Sequence, residues 1–247
     1  MYIYDDKTKL NAFLDMPKNG AKKCPLCVII HGFTGHGEER HIVATQEAMN
    51  EIGIATLRVE MYGHGHSEGE FRNHTLHKWI SNALAAFDYV RTLDFVTEVY
   101  LCGHSQGGLL SMLVAPMERD LVKILIPMSP AICIPKGARI GNLLGMPFDP
   151  VNIPKELAWD DRTLDGNYIR VAQSINTDEA IKGYEGKVLL IHGDEDEAVP
   201  YEDSVDAAKK YKNCEFVTIK GDNHCYDYHL DEVVDALKKY MSANAKL

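Results

Sequence analysis

The sequence predicts an α/β protein whose central sheet is mostly parallel, doubly wound and flanked by helices. Three observations carry that expectation. Apolar strand-like runs alternate with amphipathic helix-like runs through the first half of the 247 residues, the order that parallel crossover connections produce. The run Leu26 to Ile30 is continuously apolar, as a strand buried on both faces is. The stretch Gly103-His104-Ser105-Gln106-Gly107 lies between an apolar run, Val99 to Cys102, and a helix-like run, Gly108 to Met117.

Leu10 to Met16 alternates weakly and predicts an edge strand in a hairpin with Met1–Tyr4. Leu26 to Ile30 predicts a buried parallel strand that ends in a turn-rich loop, His31-Gly32-Phe33-Thr34-Gly35-His36-Gly37. Glu38 to Glu51 has helical spacing at Ile42, Thr45, Met49 and Ile52, and Gly53 suits the position just past a helix end. Ile54 to Val59 predicts the next strand, followed by a second Gly/His loop, Met61 to Ser67. Thr75 to Leu93 predicts a long amphipathic helix with Leu76, Ile80, Ala83 or Leu84, Phe87 and Val90 on one face. Lys123 to Met128 is another strand.

The alternation then stops. Ser129 to about Tyr184 carries Pro130, Pro135, Pro147, Pro150 and Pro154 and no long period. This stretch, approximately 130–184, reads as an insertion over the C-terminal edge of the sheet, where such folds bind ligands, and hence as a lid. Lys187 to Ile191 resumes the sheet, Tyr201 to Tyr211 is helical, and Cys214 to Ile219 is the last strand. His229 to about Ala243 closes the chain. With no repeat or second core, 1–247 reads as one domain.

Composition excludes several classes. A hydrophobic content of 45% with 25% charged residues suits a soluble globular chain. The net charge of −10 disfavours nucleic acid, anionic membranes and polyanionic substrates, and leaves neutral esters open. No apolar run approaches the roughly 18–20 residues of a membrane span. Met1 to Lys7 shows no signal-peptide pattern, so a cytoplasmic location is the default expectation. The six cysteines give no disulfide framework. Cys24-Pro25-Leu26-Cys27 opens a strand rather than a helix, which argues against a redox motif.

The chemistry centres on Ser105. G-x-S-x-G between a strand and a helix is the context of a nucleophile elbow. Close backbone approach leaves no room for side chains at 103 and 107. A serine hydroxyl needs a base, and the base needs an orienting acid. In this fold the order is serine, acid, histidine, with the acid after the next-to-last strand and the base after the last. His224 follows the last strand, in Lys220-Gly221-Asp222-Asn223-His224. The next-to-last strand is followed by Asp194, Glu195, Asp196 and Glu197. Such a run is more often a solvated turn, and spacing alone does not choose among the four. The oxyanion hole should use the backbone N–H of Gln106 and that of Phe33. His104 leaves the tight turn in another direction from Ser105 and is not expected to be its base. His64, His66, His74 and His77 invite a metal reading, but no acidic or Cys partner is spaced with them, so no metal is expected.

His31-Gly32-Phe33, Gly63-His64-Gly65-His66-Ser67, Gly103-His104-Ser105-Gln106-Gly107, His192-Gly193 with Asp196-x-x-Val199-Pro200, and Gly221-Asp222-Asn223-His224 together resemble the α/β-hydrolase superfamily over nearly the whole chain. Within it the sequence looks most like bacterial cinnamoyl (feruloyl) esterases. That resemblance implies Asp196 as the acid of the triad and no cofactor. It implies a small aromatic ester as substrate, such as a sugar-linked ferulate or p-coumarate, held under an α/β lid. Trp159 and either Tyr226 or Tyr228 become candidate ring contacts; the plain alternative for Trp159 is packing within the lid. A homodimer stays open. The rival expectations are a monoacylglycerol-lipase-like or general carboxylesterase, and a non-catalytic binding protein of the same fold.

Overall fold

The computed structural model describes residues 1–246. An eight-stranded sheet forms the centre. Its strands are β1 (Tyr2–Asp5), β2 (Thr8–Asp15), β3 (Cys24–Ile30), β4 (Ala55–Val59), β5 (Val96–His104), β6 (Val122–Met128), β11 (Lys187–Gly193) and β12 (Cys214–Ile219). They lie in the order β1-β2-β4-β3-β5-β6-β11-β12. The pairs β1/β2 and β2/β4 are antiparallel, and the rest are parallel.

Strand alternation sorts the core into two faces. Leu26, Val28 and Ile30 of β3 pack with Trp79, Ala83 and Phe87 of α2 (Leu76–Arg91) and with Leu110 and Val114 of α3 (Gln106–Val114). Cys27 and Ile29 point the other way, toward Ile42 and Met49 of α1 (Arg40–Glu51) and Val233 and Leu237 of α8 (Leu230–Asn244). All seven residues of β3 are buried, which is why its sequence does not alternate. Each buried Leu, Ile or Val contributes about 1.5–3 kcal/mol of transfer free energy, so a charge at Val28 would unseat the layer formed by α2 and α3.

Helix ends follow local chemistry. The Thr75 hydroxyl accepts the Lys78 amide at 3.1 Å and starts α2. Gly53, at φ +93°, follows the end of α1. The buried stripe of α2 runs through Leu76, Trp79, Ala83, Phe87 and Val90, while Ile80 and Leu84 are only half-buried. The expected face is the buried one at Leu76, Ala83, Phe87 and Val90, with Trp79 in place of Ile80.

Between β6 and β11 the chain leaves the sheet, although these strands are paired neighbours (Val188 opposite Leu125, Ile191 opposite Met128). The segment holds α4 (Cys133–Ile140), the hairpin of β7 (Asn142–Leu143) and β8 (Met146–Pro147), the hairpin of β9 (Glu156–Trp159) and β10 (Arg162–Asp165), then α5 (Asn167–Ser174) and α6 (Thr177–Gly183). Its elements are too short to show a long period. Ile134, Ala138, Leu157, Leu164, Tyr168 and Ile169 form a small core with Leu109 and Leu113 of α3. The segment therefore packs directly on the helix that follows Ser105. The remaining helix, α7 (Tyr201–Lys210), lies between β11 and β12 in sequence.

Candidate active site

Ser105 sits between the last residue of β5 and the first of α3, at φ +56° and ψ −120°. A non-glycine residue avoids this region unless its surroundings hold it there. The surroundings here are tight. A Cβ at Gly103 would lie 2.1 Å from the Gly107 carbonyl oxygen, and one at Gly107 would lie 2.3 Å from that of His31. These two positions must be glycine for the turn to close. The loop after β3 comes equally near: a Cβ at Gly32 would lie 3.0 Å from Ser105 Cβ. His31 fixes that loop by donating from Nδ1 to the Gly32 carbonyl and accepting the Met61 amide at Nε2. The Phe33 and Gln106 amides donate to no protein acceptor among the described residues.

The acid and base loops are laced together at the other end of the site. The Glu195 amide donates to Asp222 O, and the Asp194 amide to Ile219 O. Buried Asp222 accepts the amides of Asn223, Tyr228 and His229 and shapes the loop that carries His224. His224 Nδ1 lies 2.6 Å from Asp196 Oδ2. The Asp196 side chain has no solvent exposure, and that of His224 keeps 15%. Burial alone would raise the Asp196 pKa. Hydrogen bonds from His192 and His224 outweigh it and hold the carboxyl well below the usual carboxylate range. Asp194 is placed differently: it pairs with Lys220 at 2.8 Å and accepts the Gly221 amide.

Behind the elbow, His104 donates from Nε2 to the His224 carbonyl at 2.8 Å, and its Nδ1 meets His41 Nε2 at 3.0 Å. Burial pushes both rings toward the neutral form, His41 to about 4 and His104 well below its ordinary value. A neutral His104 with its proton on Nε2 can only accept at Nδ1, so His41 is the donor of that pair. His104 thus ties the strand before the nucleophile to the backbone of the base loop.

The sequence-derived residues divide as follows. Ser105, Gln106, Phe33, Asp196 and His224 all lie at the C-terminal ends of parallel strands. Trp159 leaves the inserted segment to meet Phe33, with ring centroids 4.9 Å apart. Tyr226 does not belong with them as a ring contact. It is fully buried at φ +57°, its hydroxyl donating to Ile191 O and accepting from Ser129 Oγ. Two residues after the base, Tyr226 turns inward against the end of the sheet because the loop is wound around Asp222. Tyr228 is 69% exposed.

Three features escaped the sequence reading. Tyr168 of α5 donates to Gln106 Oε1 from within the inserted segment. His192, at the end of β11, reaches Asp196. Gly65-His66-Ser67-Glu68-Gly69 also spells G-x-S-x-G. No α-helix follows it directly, and Ser67 is occupied: its hydroxyl donates to Glu60 O and accepts the Asn11 amide.

The histidine-rich loops are aromatic packing. His64 and His74 sit 4.9 Å apart among Phe71, Trp79 and Tyr168, and burial lowers each to about 3. The one metal-like grouping among the described residues is His36, Glu38 and Glu60. Glu60 already receives Gly37 N, Asn11 Nδ2 and His66 N, and so clamps the two Gly/His loops.

A serine held at a strained strand-to-helix turn, on a mostly parallel sheet of this order, is the architecture of the α/β hydrolases. More narrowly, the chain belongs to the hydrolase family described as serine aminopeptidase, S33, whose model matches residues 21–155. Two structures of Est1E from Butyrivibrio proteoclasticus are similar to it over nearly its whole length. The one with ferulic acid bound is 62% identical, with a TM-score of 0.98, and covers 99% of this chain and 98% of its own. The other is 60% identical, with a TM-score of 0.93 and the same coverage. Among curated proteins, protein ABHD12B of Homo sapiens is 23% identical over 181 residues. That match takes in 72% of this chain and 47% of the human protein, so the chain spans about half the length of that relative.

Proposed function

We propose that this chain is a serine carboxylic-ester hydrolase that cleaves hydroxycinnamate esters, feruloyl and p-coumaroyl, through an acyl-enzyme. The observation that carries the acyl group is the likeness, across 99% of the chain, to an Est1E structure with ferulic acid bound. The chemistry rests on the 2.6 Å contact of Asp196 with His224 Nδ1. With Nδ1 engaged, Nε2 is the nitrogen left to take a proton.

In this reading Ser105 Oγ attacks the ester carbonyl while its proton passes to His224 Nε2. Asp196 stabilises the imidazolium that forms and holds its tautomer. The amides of Phe33 and Gln106 receive the oxyanion, and they are preorganised because no other acceptor competes for them. The alcohol leaves with the proton from His224. Water then attacks the acyl-serine by the same route and releases the hydroxycinnamic acid. Trp159 flanks the ring of the acid from the inserted segment, which serves as a lid over a single domain. All six cysteines are free thiols, which suits the reducing cytoplasm.

A panel of methyl ferulate, methyl p-coumarate, p-nitrophenyl butyrate and an aminoacyl anilide tests the proposal. The expected order of kcat/KM places the hydroxycinnamates first. Preference for the butyrate would indicate a general carboxylesterase. Cleavage of the anilide alone would overturn the ester reading.

A further inference from the structure

We infer that His192 is a positioning residue for the reaction, a second histidine that shares Asp196 Oδ2 with His224. The inference rests on the reading of Asp196 as the acid of the triad and adds a component to it.

The carboxylate of Asp196 is saturated, two donors to each oxygen. Oδ1 accepts the amides of Ala198 at 2.9 Å and Val199 at 2.8 Å. Oδ2 lies 2.6 Å from His224 Nδ1 and 2.9 Å from His192 Nε2. An ionised carboxylate only accepts, so His192 must carry its proton on Nε2. In the neutral ring Nδ1 is then an acceptor, and Ser204 Oγ stands 2.6 Å from it as the donor. The result is a directional chain from Ser204 to His192 to Asp196. Ser204, His192 and the side chain of Asp196 are fully buried.

Two consequences follow. A carboxylate held by the backbone at one oxygen alone could still swing the other; His192 removes that freedom and aims Oδ2 at His224. The second donor also draws off part of the charge on Oδ2, which makes Asp196 a weaker acceptor toward His224. His192 is the largest of the influences that lower the Asp196 pKa. Removing the donor should therefore leave Oδ2 a stronger acceptor toward His224 and move the acid limb of kcat/KM upward.

The other titratable groups facing this pair come from every adjoining element. They are His104 of β5, His41 of α1 and Glu39 before it, Cys133 of α4, Asp203 of α7, and Cys225 and Tyr226 of the base loop. The histidines are held neutral, and the two thiols and the phenol are pushed upward. Glu39 and Asp203, both raised, titrate on the acid side, so the limb is compared between variants rather than read alone.

Two amides of different reach make the test. The side-chain nitrogen of His192→Gln falls where Nε2 stood and can still donate to Asp196. That of His192→Asn falls where Nδ1 stood and cannot. The expected result for His192→Asn is a kcat loss of about 10- to 100-fold with KM nearly unchanged and the acid limb raised by several tenths of a pH unit. His192→Gln should stay within a few-fold of the parent with its limb in place. Equal losses in the two variants with unmoved limbs would reduce His192 to core packing. Asp196→Asn is run beside them: if it stays active, the acid assignment fails rather than this inference. Should His192→Asn melt below the assay temperature, ¹⁵N NMR of the unsubstituted enzyme decides. A proton on His192 Nε2 is expected, and one on Nδ1 alone would overturn the proposal.

Discussion

The rings of Phe33 and Trp159 meet edge to face, 4.9 Å apart and inclined at 79°. One belongs to the loop offered as half of the oxyanion hole and the other to the inserted segment. Phe33 also touches Phe71, His74 and Tyr168, so it would stay ordered without Trp159. Truncation of the tryptophan should therefore spare the chemistry and weaken acyl recognition. Trp159→Ala is expected to lower kcat/KM for methyl ferulate by roughly tenfold or more, with little change for an acetyl ester. Equal losses on both substrates would make Trp159 a packing residue.

The strain at Ser105 separates two variants that both lack the hydroxyl. Ser105→Ala and Ser105→Gly should each lower kcat by ~10⁴–10⁶, by analogy with serine-protease triads. Their stabilities should differ. Alanine inherits the cost of φ +56°, ψ −120°, whereas glycine occupies that region freely, a difference of about 1 kcal/mol. Chemical denaturation of the two variants measures it. A glycine variant less stable than the alanine variant would mean that the turn is unstrained.

Asp194 and Asp196 make a matched pair two residues apart with opposite surroundings. Asp196→Asn should cut kcat by roughly 10⁴, because the amide can present a donor to His224 Nδ1. Asp194→Asn trades a surface pair with Lys220, and such pairs are worth about 0–1 kcal/mol, so turnover should hold. Steady-state kinetics on one ester compares them; the reverse pattern would transfer the acid role to Asp194.

The same pair shows what a sequence can carry. The elbow was legible because its signal is local: a strand, two obligatory glycines and a helix occupy consecutive positions. Parallel strands were legible because burial on both faces removes alternation. Which carboxylate turns inward was not legible from spacing, since what separates Asp194, with Lys220 and Gly221, from Asp196, with His192 and His224, is contact with the end of β11 and with the loop after β12. Tyr226 was misread for a related reason. Two residues after the base, it looked like a ring contact, but the turn around Asp222 and its own positive φ send it beneath the sheet. His192 reads as the polar end of a strand until the fold brings Asp196 to it. The inserted segment gave only prolines and glycines, because hairpins and short helices carry too few residues for a period.

Buried histidines set the acid stability of the molecule. His31 and His41 are lowered to about 4 and His64 and His74 to about 3, with burial the largest cause in each. Unfolded histidines titrate near 6.5, so between about pH 6.5 and 4 the unfolded chain binds protons that the folded chain refuses. Stability is therefore full above that window and is lost as the pH falls through it. Four such groups together give a slope on the order of several kcal/mol per pH unit. Asp196 acts lower down: its folded pKa is depressed, so its contribution persists until the pH drops below the unfolded value near 3.9. The melting temperature should accordingly fall steeply between pH 6.5 and about 5, before most carboxylates take up protons. A melting temperature that stays level to pH 4.5 would show that these rings accept protons without opening the fold.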